Sequence, residues 1–371
     1  MQKLGLYVHI PFCISKCNYC DFYSITNKKY IVPYINALCK DVEKYQNKAF
    51  TSVYIGGGSP SLLDMEVITK LFDNINKLNL TGVEEITIEA NPSQITVEKL
   101  ACYLNLGINR ISIGVQSFNP KILKNIGRIH TGEDAKKAVK LAKSSGFKNI
   151  NADLIYGLPG ESILDLNEDI KKIVDLDIEH ISAYSLMLEE NTSLYNLIEK
   201  NKLNLPTDEV VEEMYDIVNQ ELPKLGYNRY EVSNFAKEGY ECKHNMLYWS
   251  DCSYIGVGCA AASLINDIRY KNNCSVEEYI LKISHNIDVN EVEKRTQNDA
   301  IFEYIFLSLR KVIGLDKRDF QVKFKANFEK EFKSEIQELA KLNLISENDN
   351  YIYLTPTGFK ISNMVFEKFI K

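Results

Sequence analysis

The chain has 371 residues, enough for two domains or for one large domain with an appendage. Hydrophobic residues make up 45% and charged residues 25%, a balance that excludes a disordered or collagen-like protein. The net charge of −6 gives no general pull toward nucleic acid, and no apolar run approaches the roughly 18 residues that a membrane helix needs.

The longest apolar run, residues 254–265, is interrupted by glycines and reads as a buried segment. The chain opens on a strand-like pattern, without the charged stretch, long apolar run and small-residue cleavage site of a signal peptide. The expected compartment is the cytoplasm, where the nine cysteines are reduced thiols or metal ligands rather than disulfides.

In chain order, short β-branched runs recur at 6–10, 52–55, 85–89, 110–115, 151–156 and 181–186. Helical spacing fills the gaps. Tyr34, Leu38 and Val42 repeat at four residues. Ile68, Leu71, Phe72 and Ile75 form one stripe with Leu78 on the same side, and Ala135, Ala138, Val139 and Ala142 form another. Six strand-helix units imply an α/β fold whose parallel sheet is covered by helices and curls into a full or partial barrel. The first domain is expected over residues 1–234 and a second over 235–371. The second opens with a Cys/Gly/Tyr-rich stretch, followed by helices near 276–283 and 296–312. Residues 328–342 read as an amphipathic helix, 344–346 and 351–354 as a hairpin around Asn348-Asp349-Asn350, and 357–370 as a final helix. The α+β segment 328–371 therefore has a winged-helix-like order. Winged helices often bind DNA, but many are only packing or protein-contact modules. The latter reading is preferred, and no nucleic-acid partner is expected.

Cys13-Ile14-Ser15-Lys16-Cys17-Asn18-Tyr19-Cys20 follows the first strand with C-x3-C-x2-C spacing. Three close thiolates can hold three irons of a 4Fe–4S cluster, and no fourth cysteine follows nearby. The fourth iron is then open to a ligand, as the open position of a catalytic zinc is. A zinc site or inert thiols are the alternatives, but the distant second C-x2-C pair typical of zinc is absent.

Further motifs accompany the triplet: Tyr7-Val8-His9-Ile10-Pro11-Phe12-Cys13 before it, Asp21-Phe22 after it, and Gly56-Gly57-Gly58-Ser59-Pro60. They continue with Glu89-Ala90-Asn91-Pro92, Gly114-Val115-Gln116-Ser117-Phe118, Gly127-Arg128-Ile129-His130 and Asp153-Leu154-Ile155-Tyr156-Gly157-Leu158-Pro159-Gly160. Tyr230-Glu231-Val232-Ser233-Asn234-Phe235-Ala236 and His244-Asn245-Met246-Leu247-Tyr248-Trp249 complete the series. On these motifs, the sequence resembles the radical S-adenosylmethionine (SAM) superfamily. Within it, the chain is similar to the group of the oxygen-independent coproporphyrinogen III oxidase, and most of all to the HemW family of haem chaperones.

In a βα barrel, reactive groups gather at the C-terminal ends of the strands. The cysteines, the glycine run, Glu89, Gln116 and Asp153 all fall at or near such ends, so one mouth should collect them. By resemblance, Cys13, Cys17 and Cys20 ligate the cluster. Gly57, Gly58 and Ser59 contact the amino-acid end of SAM, and Tyr7 is a further SAM contact. Glu89, Gln116, Arg128 and Asp153 fit its charged and ribose groups, with Arg128 suited to the carboxylate and Asp153 to the ribose hydroxyls. Phe12 and Phe22 are expected to shield the cluster from water, and His9 receives no role. An electron from the cluster can cleave a carbon–sulfur bond of SAM, yielding methionine and a 5′-deoxyadenosyl radical.

Three features separate the chain from the porphyrinogen-decarboxylating oxidase: only twelve residues precede Cys13, Phe22 stands where that enzyme has a further cysteine, and the segment His244–Trp249 matches the H-N-x-x-Y-W motif linked to haem in the HemW family. By that resemblance His244 is a candidate haem ligand, with the Cys242 thiolate as its rival and Tyr248 and Trp249 as flat surface for a macrocycle. Cys242, Cys252 and Cys259 read as small buried hydrophobes. Ala262 departs from the family, which usually carries a histidine there. The resemblance implies a haem carrier that delivers haem to an acceptor apoprotein and takes electrons from a donor such as flavodoxin or ferredoxin. The alternative is a radical SAM enzyme acting on a tetrapyrrole or another organic substrate, with coproporphyrinogen oxidation itself disfavoured.

Overall fold

The computed structural model describes residues 3–370; Met1, Gln2 and Lys371, at the outer limits of the two expected domains, lie outside the described residues. Each β-branched run becomes a strand: β1 (Leu4–Ile10), β2 (Ser52–Gly57), β3 (Glu85–Ala90), β4 (Arg110–Gln116), β5 (Ile150–Tyr156) and β6 (His180–Ser185). They are joined in order as parallel neighbours. β7 (Asn228–Arg229) and β8 (Asn234–Ala236) add an antiparallel edge beyond β6. On the other side β9 (Ser253–Val257) runs parallel to β1, followed by antiparallel β10 (Ala262–Ile265), β11 (Ile268–Lys271) and β12 (Glu291–Lys294). The result is one twelve-stranded sheet with seven adjacent parallel strands, the partial barrel that the strand-helix alternation implies.

One face of each strand is apolar and packs on the outer helices. Leu6, Val8, Ile10, Val53, Ile55, Ile88, Ile111 and Ile113 are fully buried against the same core as Tyr34, Leu38 and Val42 of the helix Ile31–Glu43 and Leu71 and Phe72 of the helix Met65–Ile75. Their neighbours along each strand turn to the opposite face, because side chains alternate with period two. That face is polar: Tyr7, His9, Tyr54, Glu89, Ser112, Asn151, Asp153, His180 and Ser182. Barrel interiors are usually packed with branched aliphatic residues. Here the interior groups bond across strands instead, as when Asn151 Nδ2 donates to Ser112 Oγ and to Asp153 Oδ1, both at 2.7 Å.

The expected limit at 234/235 falls inside β8, and β9 to β12 extend the barrel's own sheet. A separate apolar core begins at Tyr304 and ends at Phe369. It holds the three-stranded sheet of β13 (Leu315–Asp316), β14 (Ile345–Glu347) and β15 (Tyr351–Leu354). The hairpin lies where the sequence reading placed it, and β13 is an addition to it. The helix expected over 328–342 divides into Phe328–Glu331 and Lys333–Lys341, because Phe332 leaves helical geometry (φ −122°, ψ 30°) and turns its ring onto Phe328 and Phe369. The final helix breaks in the same manner at Ile361, into Pro356–Lys360 and Ser362–Glu367. Among the described residues no helix is long and apolar enough to cross a membrane.

Candidate functional site

The cysteine loop leaves β1 through Pro11 and Phe12 and is clamped at its base. Cys13 N donates to Ile25 O at 3.0 Å, and Ile25 N donates to Pro11 O at 2.8 Å. The middle is pinned to two other strand-end loops: Asn18 N donates to Ile126 O at 3.0 Å, and Leu194 N donates to Asn18 O at 2.7 Å. Cys13, Cys17 and Cys20 are half-buried and free of disulfides. Burial raises the thiols of Cys13 and Cys20, and each also feels its cysteine neighbours. Among the described residues no three His, Cys, Asp or Glu close on the position of a single metal ion. A four-iron cluster is larger than one ion and takes its thiolates at separate corners, so ligands for it stand wider apart. Three free thiols on one clamped loop are the donor set that such a cluster takes.

Behind this loop, the ends of β2 and β3 build a carboxylate pocket. Glu89 accepts from Tyr54 Oη at 2.8 Å and from the Gly57 amide at 3.0 Å. A Cβ on Gly56 would stand 2.9 Å from the Glu89 carboxyl, so glycine there lets the carboxylate lie against the strand. Burial pushes the Glu89 carboxyl up to about 7, the Tyr54 hydroxyl and Gly57 amide oppose the rise, and the nearby charge of Asp153 adds to it. Ser59 N donates to Phe12 O at 2.9 Å, and Ser59 Oγ donates to Gln94 Oε1 at 2.7 Å. Gly58 N donates to Ile10 O at 2.8 Å. The glycine run is thus stitched to β1 at the root of the cysteine loop.

β4 and β5 supply the other wall. The register shifts between Gly114 and Gln116, and Gln116 adopts φ +68°, which curls its side chain back. A Cβ on Gly114 would lie 2.9 Å from Gln116 Nε2 and 3.2 Å from Arg128 Nη2. Gly114 therefore leaves room for both polar side chains over the strand. Arg128 donates to Gly114 O and, at 3.6 Å, to Cys17 Sγ. Asp153, paired in register with Gly114, has its carboxyl raised by burial, against hydrogen bonds from Asn151, Ser182 and Ser112. Two half-buried carboxyls, each raised by loss of solvation, favour a cationic ligand, because a cation restores the ionised form that desolvation disfavours. SAM carries a sulfonium and an ammonium group, and the residues present fit it.

Tyr7 lies within this set, its hydroxyl 3.0 Å from His9 Nδ1 and its ring stacked on Tyr54 at 6.2 Å. His9 and Tyr54 are the residues that the sequence reading missed. Strand alternation was the available signal, since both share the polar face with Tyr7 and Glu89. Phe12 is fully buried against Tyr34. Phe22 corrects the expectation of a shield: it is 69% exposed, in the loop whose ends the Cys13–Ile25 clamp joins.

His244 sits elsewhere. It lies in the helix Lys243–Trp249, 1% exposed, and packs on the opposite end of the strands, where Ser52 begins β2 and Glu85 begins β3. Its Nδ1 is 2.8 Å from Ser52 Oγ, its Nε2 is 2.8 Å from Tyr248 Oη, and its backbone N donates to Glu85 Oε1 at 3.2 Å. Burial, aided by the Arg110 charge, drives its imidazole down to about 3, so the ring is neutral. Cys242 is fully buried, its Sγ donates to Glu85 Oε1 at 3.4 Å, and burial pushes its thiol up to about 12. Neither presents a free ligand atom to solvent. Trp249 faces inward as well, with the Arg310 guanidinium 5.5 Å from its ring. Cys259 is fully buried and Cys252 half-buried.

Comparison with known proteins adds to this geometry. The description "Radical SAM superfamily" matches residues 7–173, and "HemN C-terminal domain" matches residues 295–361. The heme chaperone HemW of Lactococcus lactis subsp. lactis is 38% identical over 366 residues, covering 98% of this chain and 96% of the relative. The heme chaperone HemW of Bacillus subtilis is 38% identical over 373 residues, covering 98% of each. That of Escherichia coli is 40% identical over 268 residues, covering 70% of each. Among solved structures, the coproporphyrinogen III oxidase HemN of Escherichia coli superposes with a TM-score of 0.87 at 22% identity, over 100% of this chain and 90% of that one, a likeness of fold.

Proposed function

This chain belongs to the HemW family of radical SAM proteins, and from that premise we propose that it is a cytoplasmic haem carrier holding a 4Fe–4S cluster and SAM at the barrel mouth. In this reading Cys13, Cys17 and Cys20 ligate three irons, and SAM occupies the strand ends formed by Tyr7, Gly57, Gly58, Ser59, Glu89, Gln116, Arg128 and Asp153. The observation that carries it is the pair of half-buried carboxyls, Glu89 and Asp153, at the strand ends beside the loop that offers three free thiols. When bound, the cluster and SAM supply one-electron chemistry at a carbon–sulfur bond. The chain's own part is to hold them. The Gly57 amide and Tyr54 hydroxyl keep Glu89 fixed for a cation, Arg128 offers a guanidinium to a carboxylate, and the clamped loop brings the thiols to the same mouth.

Haem handling is supported by relatives that carry that name and match nearly the whole chain. His244 ligates haem only after the helix Lys243–Trp249 gives up the Ser52 and Tyr248 bonds and turns the ring outward. An acceptor apoprotein and an electron donor of the flavodoxin or ferredoxin kind complete the reading. The test is haem titration of anaerobically reconstituted protein, followed by addition of excess apoprotein of a haem-binding acceptor. A carrier develops a Soret band at one haem per chain and loses it to the acceptor. No haem complex, together with repeated formation of 5′-deoxyadenosine on a tetrapyrrole substrate, overturns the carrier and favours the enzyme.

A further inference from the structure

Two motifs far apart in sequence meet in the barrel interior. The ring of His244 stacks on the ring of Tyr54, with centroids 5.2 Å apart and planes inclined by 30°. Two residues along β2 from Ser52, Tyr54 carries its hydroxyl to Glu89 Oε1 at 2.8 Å. His244 is itself held from both sides, by Ser52 at Nδ1 and Tyr248 at Nε2. A continuous path thus runs from the helix Lys243–Trp249 at the strand starts to the carboxylate at the strand ends. Ser52 and His244 are buried and Tyr54, Tyr248 and Glu89 half-buried, which limits the competition of solvent for these contacts.

We propose that His244 is a positioning residue of the SAM cradle, acting through Tyr54 on Glu89. The neutral imidazole supplies a flat, fixed surface that sets the Tyr54 ring, and the ring sets the hydroxyl that orients the carboxylate. This explains why both ring nitrogens are occupied: the contacts fix the ring plane. The inference rests on the reading that Glu89 faces SAM. The groups facing Glu89 are Tyr7 on β1, Tyr54 and the Gly57 amide on β2, Arg110 on β4 and Asp153 on β5. Of these, Tyr54 stacks on His244, and the Arg110 charge also acts on it.

The test is SAM affinity by titration calorimetry between pH 6 and 8, on reconstituted wild type, four single variants (Glu89→Gln, Tyr54→Phe, Ser52→Ala and His244→Ala) and the double variant Tyr54→Phe/His244→Ala. Tyr54→Phe keeps the stacked ring and removes only the donor. It should weaken SAM about ten-fold, the worth of one hydrogen bond to a charged group. It should also move the acid limb of the affinity profile to higher pH, since the ionised Glu89 loses a donor. Ser52→Ala and His244→Ala should weaken SAM in the same direction, and His244→Ala should add nothing in the Tyr54→Phe background. Should His244→Ala fail to fold, Ser52→Ala and Tyr54→Phe decide the matter. Unchanged affinity in Glu89→Gln overturns the cradle reading itself. A weakened Glu89→Gln beside unchanged Tyr54→Phe and Ser52→Ala overturns the positioning role alone, as does an additive double variant.

Discussion

Nη1 of Arg128 donates to Sγ of Cys17 at 3.6 Å, so the loop after β4 touches the cysteine loop after β1 directly. The guanidinium is therefore shared between the expected carboxylate site of SAM and the expected cluster. Arg128→Ala should weaken SAM and also loosen the cysteine loop. The expected outcome is SAM affinity reduced by about 1.5–3 kcal/mol, the worth of a charged hydrogen bond, together with faster loss of the cluster to a chelator. Calorimetry and the decay of the visible absorption check the two effects on one sample.

The cluster assignment has a simple expectation. Among the described residues no other loop carries three cysteines: Cys39, Cys242, Cys259 and Cys274 are buried and Cys102 and Cys252 lie half-buried elsewhere. Replacing any one of Cys13, Cys17 or Cys20 by Ala should abolish the charge-transfer absorption of the reconstituted protein. Cys252→Ala should leave it unchanged. Iron analysis beside the visible spectrum gives the measurement.

Glu89 predicts a pH dependence with a definite sign. Its carboxyl rises from 4.5 to about 7 on folding. The folded chain thus holds a proton that the unfolded chain has released, so stability falls as pH rises from about 4.5 through about 7 and is level above. A bound cation pairs with the ionised form and returns part of that loss. The rise in Tm on adding SAM should be larger at pH 8 than at pH 6, and Glu89→Gln should remove the difference. Scanning calorimetry at the two pH values reads it.

A buried ion pair joins the sheet to the C-terminal region. Arg295 Nη1 lies 2.9 Å from Asp251 Oδ1, with 3% and 0% of the side chains exposed, and Lys323 pairs with the same carboxylate. Breaking a buried pair leaves an uncompensated charge and costs about 3–5 kcal/mol. Asp251→Asn suits the backbone, since Asp251 has φ +47° and Asn tolerates that region. It should fall toward the lower end of the range, because Arg295 keeps Asp267 and Glu303. Urea denaturation monitors the loss.

Much of the scaffold is legible in the sequence because it rests on local patterns. The β-branched runs mark six strands to within two residues, and Tyr34, Leu38 and Val42 mark a helix face that is fully buried. What escapes is set by contacts distant in sequence. The break at Phe332 comes from packing on Phe369, and β13 owes its two residues to pairing with β15. The seat of His244 depends on Ser52 and Glu85, 192 and 159 residues away, so its motif reads as a free ligand until the fold brings those partners in. Phe22 beside the cysteines reads as a shield only if the loop folds inward, and the clamp at Ile25 leaves it outside.

In the proposed site the cysteine loop and the strand-end carboxylates face the same ligand. Electron paramagnetic resonance of the reduced, reconstituted cluster, recorded with and without saturating SAM, tests this directly. A ligand bound at the open iron and held by Glu89, Arg128 and Asp153 changes the cluster signal in the wild type, and the change requires a higher SAM concentration in Glu89→Gln. A wild-type signal that is identical with and without SAM, at concentrations where calorimetry shows binding, would contradict a shared site.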